Sequence, residues 1–363
     1  MNPPSACEIE ITVFGPGFGE SILIHLGHNT WAIIDSCRDS RSRKPAALLY
    51  FEKLGLNPID CVKLILATHW HNDHIGGLSE VLSTCKSARF AFPLGFNEPQ
   101  FYKFMKAHAG APIVDNGVSE IFSVFELLRL ERRDYRSVTA DFPLLSTKCN
   151  VTGVTTTLTA LSPSHPDVIS FVRYIGSKIP TLGANIGRPP APKSNDLSVA
   201  TWLQVGSSAA LLGADLEERE ASGGWSAVLA SDTRPQGKAS VFKAPHHGSY
   251  NGHHDEVWTR MLTPDVVAIV TPWNRNRGLP NRNDCLRIGR LATQAFVTSR
   301  KSNLTPRFGQ AVTRVLRDAN IKIRRADSPT GRVTLRFDLA NLGATWSIDR
   351  SEESCQVSNY FDG

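Results

Sequence analysis

The sequence predicts an α/β protein in which two mixed β-sheets pack face to face with helices on the outside, an αββα sandwich. Two observations predict it. Strand-like apolar runs recur in two successive series, each with helical stretches beside it, the pattern of two stacked sheets flanked by helices. A composition of 41% apolar and 20% charged residues over 363 positions supplies a sizeable core and sets the chain apart from disordered sequences. One domain is expected over residues 1–350, carrying an inserted helical and loop segment at about 98–195, with residues 351–363 as a tail.

The first series opens with runs bounded by Gly, Pro and Asn at residues 8–14, 21–26 and 30–35, which read as an early strand meander. Helical spacing follows over 45–54. Residues 62–68, mostly apolar, read as a fully buried strand, and 75–82 return to helical spacing. Across 98–133, Phe101, Phe104, Met105, Ile121, Phe125 and Leu128 recur at helical intervals and read as core. Residues 154–161 regain strand character, and the proline-rich stretch 180–194 reads as a loop. In the second series, 197–205 and 208–214 form a hairpin around a Gly-Ser turn, with 217–230 helical beyond it. Residues 240–244 and 266–271 read as buried strands, and 331–337 with 344–348 as a closing hairpin.

The formal net charge of +6 inclines the surface towards phosphate-bearing partners, and basic residues thicken late in the chain. Seven scattered cysteines without a C-x-x-C pair argue against a disulfide framework or a zinc knuckle. The first residues lack the basic and apolar regions of a secretory leader, and no apolar run approaches the ~20 residues of a membrane span. A cytoplasmic location without membrane attachment is therefore expected.

Chemistry concentrates at the end of the 62–68 run. His69, His71, Asp73 and His74 place three imidazoles and a carboxylate within six positions, on a short loop that can turn them all towards one point. Imidazole nitrogen suits Zn²⁺ or Mn²⁺, and the carboxylate adds charge neutralisation. One or two divalent metal ions, zinc or manganese, are the expected cofactor.

The run Thr68-His69-Trp70-His71-Asn72-Asp73-His74-Ile75-Gly76-Gly77 resembles the signature of the metallo-β-lactamase superfamily. That resemblance implies that His69 and His71 serve one metal, that Asp73 and His74 serve a second, that Asp215 bridges, and that His246 completes the set. His165, at the end of 154–161, is the candidate for a further histidine on the first metal. Asp35 is expected behind a ligating imidazole, fixing its tautomer.

More narrowly, the chain is similar to ComEC-like, competence-type soluble hydrolase domains. The similarity rests on Gly15-Pro-Gly-Phe-Gly-Glu20-Ser21, on Ile33-Ile34-Asp35, on Asn195-Asp-Leu-Ser198 followed by Asp215, and on Lys243-Ala-Pro-His246-His247-Gly248-Ser249. It departs where relatives carry a histidine and this chain has Leu279.

The resemblance implies a nuclease or phosphodiesterase acting on nucleic acid or a nucleotide. In that reading Asp73 and Asp215 place the metals and the attacking water, and His247 or Ser249 contacts a phosphate oxygen. Asn195, Ser198, Lys243, Arg275 and Arg277 hold the substrate. Two alternatives stay open. One is a carbonyl hydrolase of lactones, thioesters or lactams, and the other is a catalytically silent regulatory subunit.

Overall fold

The protein is described here from a computed structural model, over residues 2–108, 117–179, 194–219, 222–274, 278–301, 309–319, 330–341, 343 and 345–362. In chain order the strands are β1 (Glu8–Gly15), β2 (Ser21–His25), β3 (Trp31–Ile34), β4 (Val62–Leu66), β5 (Arg89–Pro93), β6 (Tyr135–Val138), β7 (Phe142–Lys148) and β8 (Thr155–Ala160). They continue with β9 (Thr201–Val205), β10 (Ser208–Leu212), β11 (Glu218–Arg219), β12 (Ala239–Lys243), β13 (Leu262–Val270), β14 (Gln294–Val297), β15 (Gly331–Asp338), β16 (Ser347–Arg350) and β17 (Cys355–Gln356).

Among the described residues, two eight-stranded sheets form, ordered β16-β15-β1-β2-β3-β4-β5-β6 and β17-β14-β13-β12-β10-β9-β8-β7. Both are mixed. The first is antiparallel from β16 to β3 and parallel from β3 to β6, and the second is parallel from β10 through β12 and β13 to β14. The expected αββα architecture is therefore the one observed.

Alternation along the strands explains the layers. Ile22, Ile24, Ala32, Ile34, Leu64 and Leu66 face the second sheet, where they meet Leu158, Leu203, Ala210, Val241 and Ile269. Their in-between neighbours Leu23, Trp31, Ile33 and Ile65 face outwards, against the helices Ala46–Leu54, Leu78–Thr84, Pro99–His108 and Val118–Leu130. From Leu64 to Leu66 both faces are dry, which is why that part of the strand reads as an apolar run, while Lys63 at its start is exposed. A third cluster joins the outer face of the second sheet to the helices Gly224–Ala230 and Arg282–Leu291.

Several expectations needed adjustment. The helix expected over 75–82 is two pieces, Asn72–Ile75 and Leu78–Thr84, broken at Gly77, whose φ of 84° belongs to the left-handed region. The helix expected from 217 begins at Gly224, because residues 218–219 pair as β11 with Gly223 and Gly224. The 98–133 stretch forms two helices on either side of residues 109–116, which lie outside the described residues, as do 180–193 of the expected loop. The closing hairpin forms as expected, with Leu335 opposite Ile348. No helix of the described residues is long and apolar enough to cross a membrane.

Parallel neighbours end on the same side of a sheet. β3 and β4 thus deliver Asp35 and the 68–74 loop together, while β10 and β12 deliver Asp215 and the 244–249 loop. The two sets meet across the sandwich.

Candidate metal centre

Asp35 begins the site. It leaves β3 with a φ of 58°, a left-handed conformation that Asp tolerates, and its amide donates to Leu66 O at 2.8 Å. Its carboxylate accepts from the Thr68 amide at 2.7 Å, from Thr68 Oγ1 at 2.6 Å and from His74 Nδ1 at 2.7 Å. Thr68 Oγ1 spends its proton on Asp35, so it accepts from His69 Nδ1 at 3.0 Å. One buried carboxylate thereby fixes the tautomers of two histidines, leaving each Nε2 with a lone pair.

Those two Nε2 atoms are buried without a hydrogen-bond partner, as is Asp215 Oδ1. His74 Nε2 lies 3.3 Å from Asp215 Oδ1 and 3.6 Å from Asp73 Oδ2, and His69 Nε2 lies 3.8 Å from Asp215 Oδ2. From the other sheet, His247 donates through Nδ1 to Thr271 O at 2.9 Å and turns Nε2 to within 3.0 Å of Asp73 Oδ2 and 3.6 Å of Asp215 Oδ2. Imidazole nitrogens and carboxylate oxygens converge on one point, with His247 Nε2 at hydrogen-bond distance from Asp73 Oδ2. Burying them so is costly unless a cation joins them, and nitrogen with carboxylate oxygen is the donor chemistry of a divalent ion.

The donors fall into overlapping groups whose ligand atoms lie within 4.8 Å of one another. One is His69, His71 and Asp215, and another is Asp73, His74, Asp215 and His247. Asp215 is common to both. A third grouping, Asp35 with His69 and His74, is the hydrogen-bonded support already described.

Until a cation binds, the carboxylates draw a proton onto the cluster in its stead. Burial, with His74 and His71 nearby, holds His69 well below the usual imidazole range. Burial would also depress His74, but the Asp215 and Asp73 carboxylates overcome it and hold His74 well above that range. Burial raises Asp215, and His74, His247 and His246 outweigh it, so its carboxyl sits well below the usual carboxylate range. The pocket calls for positive charge.

Other candidates fall elsewhere. His246 has φ 46° and His247 φ 55°, and these successive left-handed residues send the second imidazole inwards. His246, expected as the final ligand, is half-buried with Nδ1 3.1 Å from Glu217 Oε1 and belongs to none of the groups. His165 is exposed at the first position of the helix His165–Gly176 and likewise outside them.

Lys243 is fully buried, paired with Glu20 and donating to Ala214 O at 2.8 Å, so its ammonium faces the interior and not a substrate. Ser198 is buried too, its Oγ accepting from the Asp215 amide at 2.9 Å. Asn195 donates to Glu217 Oε1 at 2.8 Å, and Ser249 is half-buried beside the histidine pair. Leu279 exchanges backbone hydrogen bonds with Trp273 at 2.8 Å. Arg275 and Arg277 lie outside the described residues.

Sequence reasoning did not single out Thr68, Glu217 or Thr271. Thr68 stood inside the histidine motif, Glu217 carried no signal beyond lying two residues after Asp215, and Thr271 is an ordinary strand-end residue. Thr271 also donates to Glu20 Oε2 at 2.6 Å, joining the Lys243–Glu20 pair to the support of His247.

A family model described as the metallo-beta-lactamase superfamily matches residues 14–171, which include His69 to His74 and stop before Asp215. No curated protein matches the chain. Similar solved structures include the metallo-beta-lactamase fold protein YhfI from Bacillus subtilis, at 13% identity and TM-score 0.36, covering 73% of this chain and 85% of that one. MEM-A1, a subclass B3 metallo-beta-lactamase from a soil metagenome library, is 16% identical with TM-score 0.32, over 61% of this chain and 66% of its own. BJP-1, a subclass B3 enzyme of Bradyrhizobium japonicum, is 16% identical with TM-score 0.33, over 61% and 69%. Over residues 14–171 the chain is thus similar to the metallo-beta-lactamase superfamily, and its two-sheet fold and donor cluster accord with that match.

Proposed function

We propose that the chain is a metal-dependent hydrolase whose substrate is a phosphodiester of nucleic acid or of a nucleotide, in the manner of ComEC-like hydrolase domains. The observation that carries the hydrolase reading is the pair of donor groups sharing Asp215. His69 and His71 would hold one divalent ion, zinc or manganese, and Asp73, His74 and His247 the other. Such a pair, when bound, lowers the pKa of water towards neutrality and stabilises charge on the entering and leaving oxygens of an in-line displacement.

The chain's own residues do the positioning. Asp35 and Thr68 keep the His69 and His74 lone pairs aimed inwards. The Thr271 carbonyl does the same for His247, and Ser198 fixes the backbone of Asp215. His246 and Ser249, both half-buried and in the same loop as His247, would offer hydrogen bonds to substrate oxygens. The net charge of +6 and the similarity of the 195–198 and 243–249 segments to nucleolytic domains support a phosphodiester.

One observation favours a second reading, hydrolysis of a lactone, thioester or lactam. Lys243 and Ser198 are engaged inside the fold, which removes two of the groups counted as phosphate holders.

Metal-loaded protein assayed against a single-stranded oligonucleotide, a nucleotide phosphodiester, a lactone and a thioester decides between the two. Phosphodiester cleavage is expected, with oligonucleotide affinity falling steeply as salt rises. Asp215→Ala is expected to lower turnover at least 100-fold and to leave oligonucleotide binding in place. Turnover of carbonyl substrates alone would transfer the assignment to the second reading.

A further inference from the structure

Far from the donor cluster, two cysteines touch. Cys7 Sγ lies 3.2 Å from Cys149 Sγ, although the residues stand 142 positions apart. Cys7 precedes β1 in the first sheet, and Cys149 lies just past β7 at the turn into β8 in the second. The chain around them is tightly held. The Cys149 amide donates to Val154 O at 2.8 Å and its carbonyl accepts from the Gly153 amide at 2.8 Å, while Cys7 O accepts from the Leu339 amide at 2.8 Å. The same edge is tied across the sheets where Asn150 donates to His28 Nε2 at 3.0 Å. Neither sulfur needs a large backbone movement to reach the other.

We infer that Cys7 and Cys149 are a covalent modification site, forming a reversible disulfide that joins the two sheets at the end of the sandwich opposite the donor cluster. The eight residues of β1, at ~3.3 Å each, separate Cys7 from Gly15, whose environment includes Thr271 of the cluster's support. That is a span of roughly 25 Å.

The two sulfurs divide the chemistry. Cys7 is half-exposed and within reach of a low-molecular-weight disulfide, whereas Cys149 is 3% exposed. Hydrogen bonds from the Thr152 side chain, aided by the backbone there, pull the Cys149 thiol down to about 6 against the effect of burial. Burial pushes Cys61 up to about 11 and Cys85 and Cys285 up to about 12, which leaves them poor nucleophiles.

Cys7 gives up its proton to solvent base, and its sulfur attacks R–S–S–R and expels one thiolate, which is protonated from solvent. Cys149 then attacks Cys7 Sγ and expels the second thiolate, which is protonated from solvent. Two cysteines are oxidised by two electrons and one small disulfide is reduced to two thiols.

Incubation of the full chain with oxidised glutathione, followed by unreduced peptide mapping by mass spectrometry, tests this. A fragment linking Cys7 to Cys149 is expected, with loss of two of the seven thiols and full reversal by dithiothreitol. The linked protein should melt roughly 5 °C higher, since the bond closes a long loop in the unfolded chain. Cys7→Ser and Cys149→Ser should each abolish the link.

A glutathione adduct that persists on Cys7, or links between other cysteines, overturns the proposal. A linked protein that melts no higher overturns its role in joining the sheets. The wild-type map decides even where a variant fails to fold.

Discussion

Asp35 acts entirely through other residues. Replacing it with Asn keeps the size and the tolerance for a φ of 58°, but an amide cannot accept from Thr68 and His74 as the carboxylate does. The two imidazoles then lose their enforced tautomers. Asp35→Asn should weaken zinc or manganese affinity by roughly 10–100-fold, measured by competition with a chromophoric chelator. His254→Ala, at a histidine near Glu218 and outside the donor groups, should leave affinity unchanged; equal affinities for all three proteins would refute the relay through Thr68.

At this scale the sequence was legible where donors lie close together. His69 to His74 could be read because density and spacing alone point to a metal, and Asp215 because the resemblance implies a bridging carboxylate after the 197–214 hairpin. Which histidine of the 246–247 pair turns inwards depends on two successive left-handed residues and on a carbonyl 24 positions later, and adjacent letters do not encode that. The misplacement of Lys243 has the same origin. A lysine at the end of a buried strand looks like a substrate contact until Glu20, brought in from the other sheet, is seen to pair with it.

At the scale of elements, the early strands and the helix at 46–54 were readable because their apolar periods are regular. The helix His165–Gly176 was not, and its first residue, His165, reads with the end of the preceding strand. Its signals were nonetheless present: Ser164 and Asp167 form a reciprocal capping box, and Val168, Phe171 and Ile175 are its buried face. Asp167 also accepts from Arg219 at 2.8 Å while itself 2% exposed. Asp167→Ala removes the cap and strands the guanidinium, so it should cost about 2 kcal/mol of stability in chemical denaturation. A loss under ~0.5 kcal/mol, the ordinary range for a surface change, would deny the box any role in fixing this helix. β5, β6 and β14 escaped notice; their place in the sheets comes from parallel neighbours remote in the chain.

For the whole molecule, the donor groups stitch the sandwich together. His69, His71, Asp73 and His74 follow β4 of the first sheet, and Asp215 and His247 follow β10 and β12 of the second. An ion bound there stabilises the native state and not the unfolded chain. Chelation should therefore lower the melting temperature by roughly 3–5 °C if free metal had stood about 100-fold above its Kd. Calorimetry before and after EDTA checks this, with recovery expected when the metal is returned. An unchanged melting temperature after complete removal, verified by elemental analysis, would mean that the cluster does not couple the sheets.

The pairing of β1 with β15, Glu8 opposite Asp338, carries a consequence for biosynthesis. A ribosome adding about 5–20 residues per second releases the first strand on the order of tens of seconds before its neighbour exists. Throughout that interval one edge of β1 presents open amides and carbonyls, a template on which another nascent chain can pair. Native assembly thus runs out of step with translation. Faster elongation through the middle of the message shortens the exposure, and pausing there lengthens it, so the yield of folded protein depends on codon tempo at positions remote from both strands.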